Sequence, residues 1–252
     1  MGTRLIALGL DLDHDDPALW NLSRPEAVRA IHALDVAAGA DAVLTNTFGG
    51  NRVWLARFGR SGDVAALNRR AAELARDAAG PDRLVIGSIG PTAALDGDAL
   101  REQAGILAEA GVDAIVFETC QDRQASEMAA AVHVGLPLIA SFLAVPDGAR
   151  DELRRLEDLG VSVVGINCAP GCAATLDPLR QLRQWTDLPL WVKPSAGLPA
   201  GPFEAPARFA EAVPQWLKLG VRFVGGCCGA TEAHVAAVRA ACYAEETGGR
   251  RQ

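Results

Sequence analysis

Hydrophobic and polar positions along the chain follow two alternating patterns. Amphipathic stretches with helical spacing predict helices at about 24–38, 63–79, 98–110, 122–134, 149–159, 174–185, 205–219 and 231–246. Between them lie short runs rich in Val, Ile and Leu, at 41–48, 84–89, 114–119, 138–143, 162–168, 190–193 and 222–227. These runs are nearly continuous rather than alternating, as strands buried on both faces should be. Ser23 before Pro25 and Glu26 reads as a helix cap, and Gly39, Gly111, Gly160 and Gly220 read as helix-terminating glycines.

Strict alternation of strand and helix predicts an α/β fold with a parallel sheet, and right-handed crossovers would wind it into a (β/α)8 TIM barrel. The seven apolar runs need an eighth strand, and residues 4–10 could supply it on pattern alone. At 252 residues the chain has the size of one such barrel, so 1–252 is read as a single domain, with 247–252 as a frayed tail.

Composition narrows the function. A formal charge of −7 without a Lys/Arg cluster argues against a nucleic-acid partner. No run approaches the ~20 apolar residues that span a bilayer. The start is soon interrupted by Asp11, Asp13, Asp15 and Asp16, unlike a secretory signal. Six cysteines in such a chain read as reduced thiols serving metal or catalysis, and a cytoplasmic location is expected.

Four segments share one design, a Gly followed by an apolar strand, starting at Gly39, Gly111, Gly160 and Gly220. The seventh residue after each Gly is Asn46, Glu118, Asn167 or Cys227, and the eighth is Thr47, Thr119, Cys168 or Cys228. In one parallel sheet these residues share a depth near the carboxyl ends, where barrels place their chemistry. Cys168, Cys227 and Cys228 then meet. Three thiolates suit zinc and leave one tetrahedral position for a substrate, as in a catalytic rather than a structural site. The alternative is that all three are small buried residues filling strand ends. Gly225, Gly226 and Gly229 around the pair favour the metal, because they allow close approach of backbone and ligand. Cys172 is a rival ligand that lacks the register.

Glu118 ends its strand as a carboxylate aimed into the mouth, suited either to a substrate ammonium or to a salt bridge with a loop Arg such as Arg123. Asn46 and Thr47 stand at the same depth, where the Asn46 amide either meets a ligand or orders the loop. The turns 87–91 and 194–199 are expected to shape the pocket through backbone groups, and neither has phosphate-loop spacing. His32, His133 and His234 are placed in helices and His14 in an acidic loop, for packing or surface roles.

Met1-Gly2-Thr3, Thr45-Asn46-Thr47-Phe48, Gly87-Ser88-Ile89-Gly90-Pro91, Glu118-Thr119, Asn167-Cys168, Ala196-Gly197-Leu198-Pro199 and Gly225-Gly226-Cys227-Cys228-Gly229 occur in this order over the whole chain. Together they resemble the homocysteine S-methyltransferase family. The resemblance implies a zinc-bearing barrel in which Cys168, Cys227 and Cys228 hold Zn2+ and act in catalysis. It further implies that homocysteine sulfur takes the open position and that Glu118 receives the homocysteine amino group. The product would be methionine, and the donor a sulfonium or quaternary amine whose charge Trp20, Trp54 or Phe48 could face. A separate corrinoid protein as donor and a homo-oligomer stay open as partners.

Two departures from the family pattern stand out. The family opens with a first strand and Asp-Gly-x-Met-Gly-Thr, whereas this chain begins at the Met, and by that alignment 4–10 follows strand one. Ser195 stands where the family commonly has Asn. Two alternative functions are therefore an inactive barrel that binds zinc or thiols and lacks its first strand, and a methyltransferase for another thiol or a selenol.

Overall fold

The structure, a computed structural model, describes residues 1–92, 95–197 and 201–248. Leu198 and Pro199 of the family motif, and 249–252 of the expected tail, lie outside the described residues. Seven strands form one parallel sheet in chain order: β1 (Ala42–Leu44), β2 (Leu84–Ile89), β3 (Ala114–Cys120), β4 (Leu138–Phe142), β5 (Val163–Pro170), β6 (Leu190–Ser195) and β7 (Val221–Val224). Helices cover the outside, including Pro25–Ala37, Val64–Ala79, Gly97–Glu109, Gln124–Ala131, Ala149–Asp158, Leu176–Arg183 and Glu232–Gly248. Among the described residues this is the curled sheet of a (β/α)8 barrel with seven strands.

The sheet has two distinct apolar faces because successive side chains of a strand point to opposite sides. One cluster, with Phe117, Ile115, Leu107, Phe142 and Trp216, packs strands against the outer helices. A separate cluster of Ile86, Val116, Ile139, Val163 and Trp191 fills the interior of the curl. Gly39, Gly111, Gly160 and Gly220 all have left-handed φ, between 76° and 96°, and turn the chain from helix into strand as expected.

Several local expectations need correction. Residues 4–10 form no strand: Gly2–Ala7 is a helix, with Leu5 buried against Trp20, Val28, Ile31 and Leu74. A short apolar run fits strand and helix alike, and here the helix satisfies its own backbone groups where an unpaired edge strand would not. This helix bridges the two ends of the sheet, since Arg4 reaches Asp35 at 2.6 Å and Glu232 at 2.8 Å. Among the described residues β1 pairs with β2 only and β7 with β6 only, so side chains, not a strand ladder, span the gap.

Ser23 does not cap Pro25–Ala37; it ends the short helix Trp20–Ser23, and its hydroxyl donates back to the Leu19 carbonyl. The expected helix at 205–219 is two, Pro206–Ala210 and Val213–Lys218, because Pro214 can enter only the first turn of a helix. Gln124–Ala131 ends before His133, which therefore lies outside it. No helix among the described residues is long and apolar enough to cross a membrane.

Candidate active site

The barrel interior changes character within two residues on each strand. From the apolar layer Ile86, Val116, Ile139 and Trp191, the next residues on the same face are Ser88, Glu118, Ser141 and Lys193. All four are buried. Above them lie the strand ends carrying the cysteines.

The Sγ atoms of Cys168, Cys227 and Cys228 lie within 4.8 Å of one another. Cys168 reaches the cluster because β5 breaks register with β6 between Asn167 and Pro170, and Cys168 adopts a left-handed φ of 58°. Thr119, its counterpart in the repeat, has φ 61°. Such a conformation is strained for a β-branched residue and persists only where its surroundings fix it. Asn167, fully buried, does so. Its Oδ1 accepts from the Thr119 amide at 2.9 Å and the Ser141 hydroxyl at 2.7 Å. Its Nδ2 donates to Thr119 Oγ1 at 3.0 Å and contacts Cys168 Sγ at 3.5 Å.

Cys227 and Cys228 follow β7 in a segment bound to the end of β6. The Cys227 amide donates to the Pro194 carbonyl at 2.8 Å, and the Ala196 amide donates to the Cys228 carbonyl at 2.7 Å. The glycines leave room for protein rather than ligand: a Cβ on Gly226 would collide with Ala230, and one on Gly229, at φ 75°, would lie 2.5 Å from the Gly197 carbonyl. The Gly229 amide also donates to Thr3 Oγ1 at 3.1 Å, joining the Met1-Gly2-Thr3 segment to the cysteine loop.

The Cys168 and Cys227 sulfurs are in contact, with Cα atoms 5.5 Å apart, and Cys228 lies beside them. The shared depth that suits a metal would also let two of the three form a disulfide, so a metal site needs all three as thiols. Once reduced, the trio fits zinc. Zn–S bonds of about 2.3 Å in a tetrahedron place sulfurs roughly 3.8 Å apart, within the spread seen here. Cys172 is not part of it; buried, it lies 3.4 Å from the Phe209 carbonyl, and burial pushes its thiol up. Burial likewise raises the Cys120 thiol to about 12.

Glu118 is bonded on both oxygens. Ser88 Oγ donates to Oε1 at 2.5 Å, and Lys193 Nζ donates to Oε2 at 2.7 Å. Burial pushes the Glu118 carboxyl up, but the Lys193 charge and the two hydrogen bonds outweigh it and hold the carboxyl below its ordinary range. Its partner is Lys193, and not the loop Arg of the alternative reading. Lys193 went unrecognised in the sequence. A signal was present, because this chain has only two lysines and one interrupts the apolar run Leu190-Trp191-Val192-Lys193.

Asn46 and Thr47 sit near the mouth in structural bonds. Asn46 Nδ2 donates to the Pro17 carbonyl at 2.6 Å, and Thr47 Oγ1 donates to the Ser88 carbonyl at 2.7 Å. Asn46 also lines a cavity of about 200 Å³ with Leu12, Asp16, Pro17, Phe48 and Trp54. The aromatic faces expected to meet a cation already do so: Arg24 lies 4.5 Å from the Trp20 ring and Arg57 lies 5.1 Å from the Trp54 ring. Phe48 is partly exposed and packs edge-on against Trp54.

The chain resembles known proteins in sequence and in fold. Residues 1–242 match the family model described as homocysteine S-methyltransferase, and the chain belongs to that family of methyltransferases. It is 34% identical over 286 residues to the methionine synthase of Mycobacterium tuberculosis (strain ATCC 25618 / H37Rv), covering 96% of this chain but 24% of that protein. The Mycobacterium leprae (strain TN) methionine synthase matches at the same identity and coverage. The chain thus spans about a quarter of the length of these relatives. Among solved structures, the Escherichia coli homocysteine methyltransferase MmuM in its metallated form superposes with a TM-score of 0.78 at 28% identity, covering 94% of this chain and 92% of that one. MmuM has also been solved in oxidised and apo forms. A methyltransferase from Methanosarcina mazei, 14% identical with a TM-score of 0.62 over 90% of this chain and 87% of that one, shares the fold.

Proposed function

We propose that the protein transfers a methyl group from a sulfonium or quaternary-amine donor to the thiol of L-homocysteine, giving methionine. The observation that carries this reading is the convergence of Cys168, Cys227 and Cys228 at the barrel mouth. The three residues would hold zinc, which supplies a site where a fourth sulfur is kept as thiolate near neutral pH. Binding requires the reduced form, in keeping with a cytoplasmic location.

The chain's own residues do the positioning. Glu118, kept ionised in the interior, offers a carboxylate to the substrate ammonium. Asn167 fixes the backbone at Thr119 and contacts the Cys168 sulfur, so the metal-binding thiol and the Glu118 strand end are set by one side chain. The partly enclosed barrel holds the acceptor sulfur, the methyl carbon and the leaving group in line, and that positioning supplies much of the rate gain. The partners are small molecules, homocysteine and the methyl donor.

The test is methionine formation by the full chain, reduced and supplied with zinc, from homocysteine with S-methylmethionine, and separately with betaine. Cys228→Ala is the control. Methionine from one donor, lost in the variant, is expected. No methionine from either donor, or equal turnover by the variant, would contradict this reading.

A further inference from the structure

Lys193 has no role in the function just proposed, yet it occupies the group that function relies on. It stands on β6 opposite Asn167 of β5, one residue short of the depth of Cys168. Its ammonium crosses the interior to Glu118 of β3 at 2.7 Å, and Lys193 and Glu118 are 9% and 7% exposed. Facing it just past the end of β7 is Gly225, where a Cβ would lie 3.1 Å from Lys193 Cγ, so the neighbouring chain leaves room for the lysine stem. The Trp191 ring, 5.5 Å from the ammonium, forms the floor below.

A carboxylate meant for a substrate ammonium is therefore already paired with a cation of its own chain. A ligand carrying only an ammonium could take Glu118 only by stranding Lys193 as an unpaired charge in the interior, which is costly. A ligand carrying only a carboxylate would strand Glu118 in the same way. A zwitterion strands neither, because one internal ion pair opens into two pairs across the ligand. The flexible lysine stem lets the ammonium swing while Ser88 keeps Glu118 in place.

We propose that Lys193 is a specificity-determining residue that binds the acceptor's carboxylate while Glu118 binds its ammonium, so that the site selects α-amino-acid thiols over thiols bearing a single charge. This rests on the thiol-binding function proposed above. Buried groups left without partners are what give polar sites their discrimination. The expected preference for the zwitterion is on the order of 10²- to 10³-fold.

The test reads binding, not turnover. The reduced chain is loaded with Co2+ in place of zinc, and the sulfur-to-metal absorption is titrated with L-homocysteine, with homocysteamine, which lacks the carboxylate, and with γ-mercaptobutyrate, which lacks the ammonium. Wild type should bind homocysteine about 10²- to 10³-fold more tightly than either analogue. Lys193→Gln should weaken homocysteine and strengthen homocysteamine, so that the preference between them falls to within about 3-fold. Lys193→Arg, which keeps the charge, should recover most of the preference. If wild type binds homocysteamine as tightly as homocysteine, the assignment is overturned without any variant. The assignment also fails if Lys193→Gln weakens all three thiols equally, as a merely structural role would. If no thiol perturbs the cobalt spectrum, the function proposed above fails first and takes this assignment with it.

Discussion

The same strands build two unlike layers inside the barrel, and the layers are separated by two residues. Ile86, Val116, Ile139, Val163 and Trp191 form a dry plug. One step further along the same faces come Ser88, Glu118, Ser141 and Lys193, joined by Asn167 from four residues beyond Val163, all buried and each hydrogen-bonded to another polar side chain of the layer. The lower layer needs only volume and apolar surface. The upper layer has to satisfy every donor and acceptor it buries, and so it fixes geometry. Substitutions in the two layers should therefore fail differently: lower-layer changes should cost stability and spare metal affinity, and upper-layer changes should affect both.

The largest effect is expected just above the upper layer. Cys168→Ala should reduce zinc from about one ion per chain to a small fraction of that, measured by metal analysis after dialysis, and should lower methyl transfer at least about 10³-fold. In the lower layer, Ile139→Ala should cost about 2–4 kcal/mol in denaturant unfolding while leaving zinc affinity within about 3-fold of wild type. A large loss of zinc affinity there would break the distinction between layers. Asn167→Ala should cost about 2–3 kcal/mol, because it leaves the Thr119 amide unpaired, and should also weaken zinc binding by about 10- to 100-fold. A stability loss without a metal effect would show that Asn167 belongs with the plug.

The smallest effect concerns acid. His32, outside the barrel in Pro25–Ala37, is held neutral by burial with its pKa lowered to about 3. Its folded pKa lies below the unfolded value, so its contribution is complete above about pH 6.5 and is lost as pH falls toward the folded value. Between pH 7 and 5 that amounts to about 2 kcal/mol, which His32→Gln should remove. Glu118 is also lowered, from an ordinary value of 4.5, so its contribution is present above that value and is lost only at lower pH. Acid sensitivity between pH 7 and 5 that persists undiminished in His32→Gln would contradict this assignment.

Much of this was legible from pattern. The strand runs appear within a few residues of their expected places because an apolar run of that length, ended by a Gly turn, has few other uses in an α/β chain. Strand β1 is the exception: it ends at Leu44 rather than 48, where the Thr45 and Thr47 side chains take up hydrogen bonding to β2. Counting residues from each Gly brought Cys168 level with Cys228, and the structure brings their sulfurs together. The count could not foresee the left-handed turns at Thr119 and Cys168, which depend on Asn167 reaching across from β5 to β3. Nor could it pair Glu118 with Lys193, since those residues are 75 positions apart and meet only through the curl of the sheet. The helix at Gly2–Ala7 was misjudged because its apolar run is too short to show a period.

The central claim is that three sulfurs share one metal and leave a place for a fourth. Zinc K-edge X-ray absorption of the reduced, zinc-loaded chain tests it most directly. Three sulfur neighbours at about 2.3 Å are expected, rising to four when homocysteine is added. Two or fewer sulfurs, or a sulfur shell unchanged by homocysteine, would contradict it.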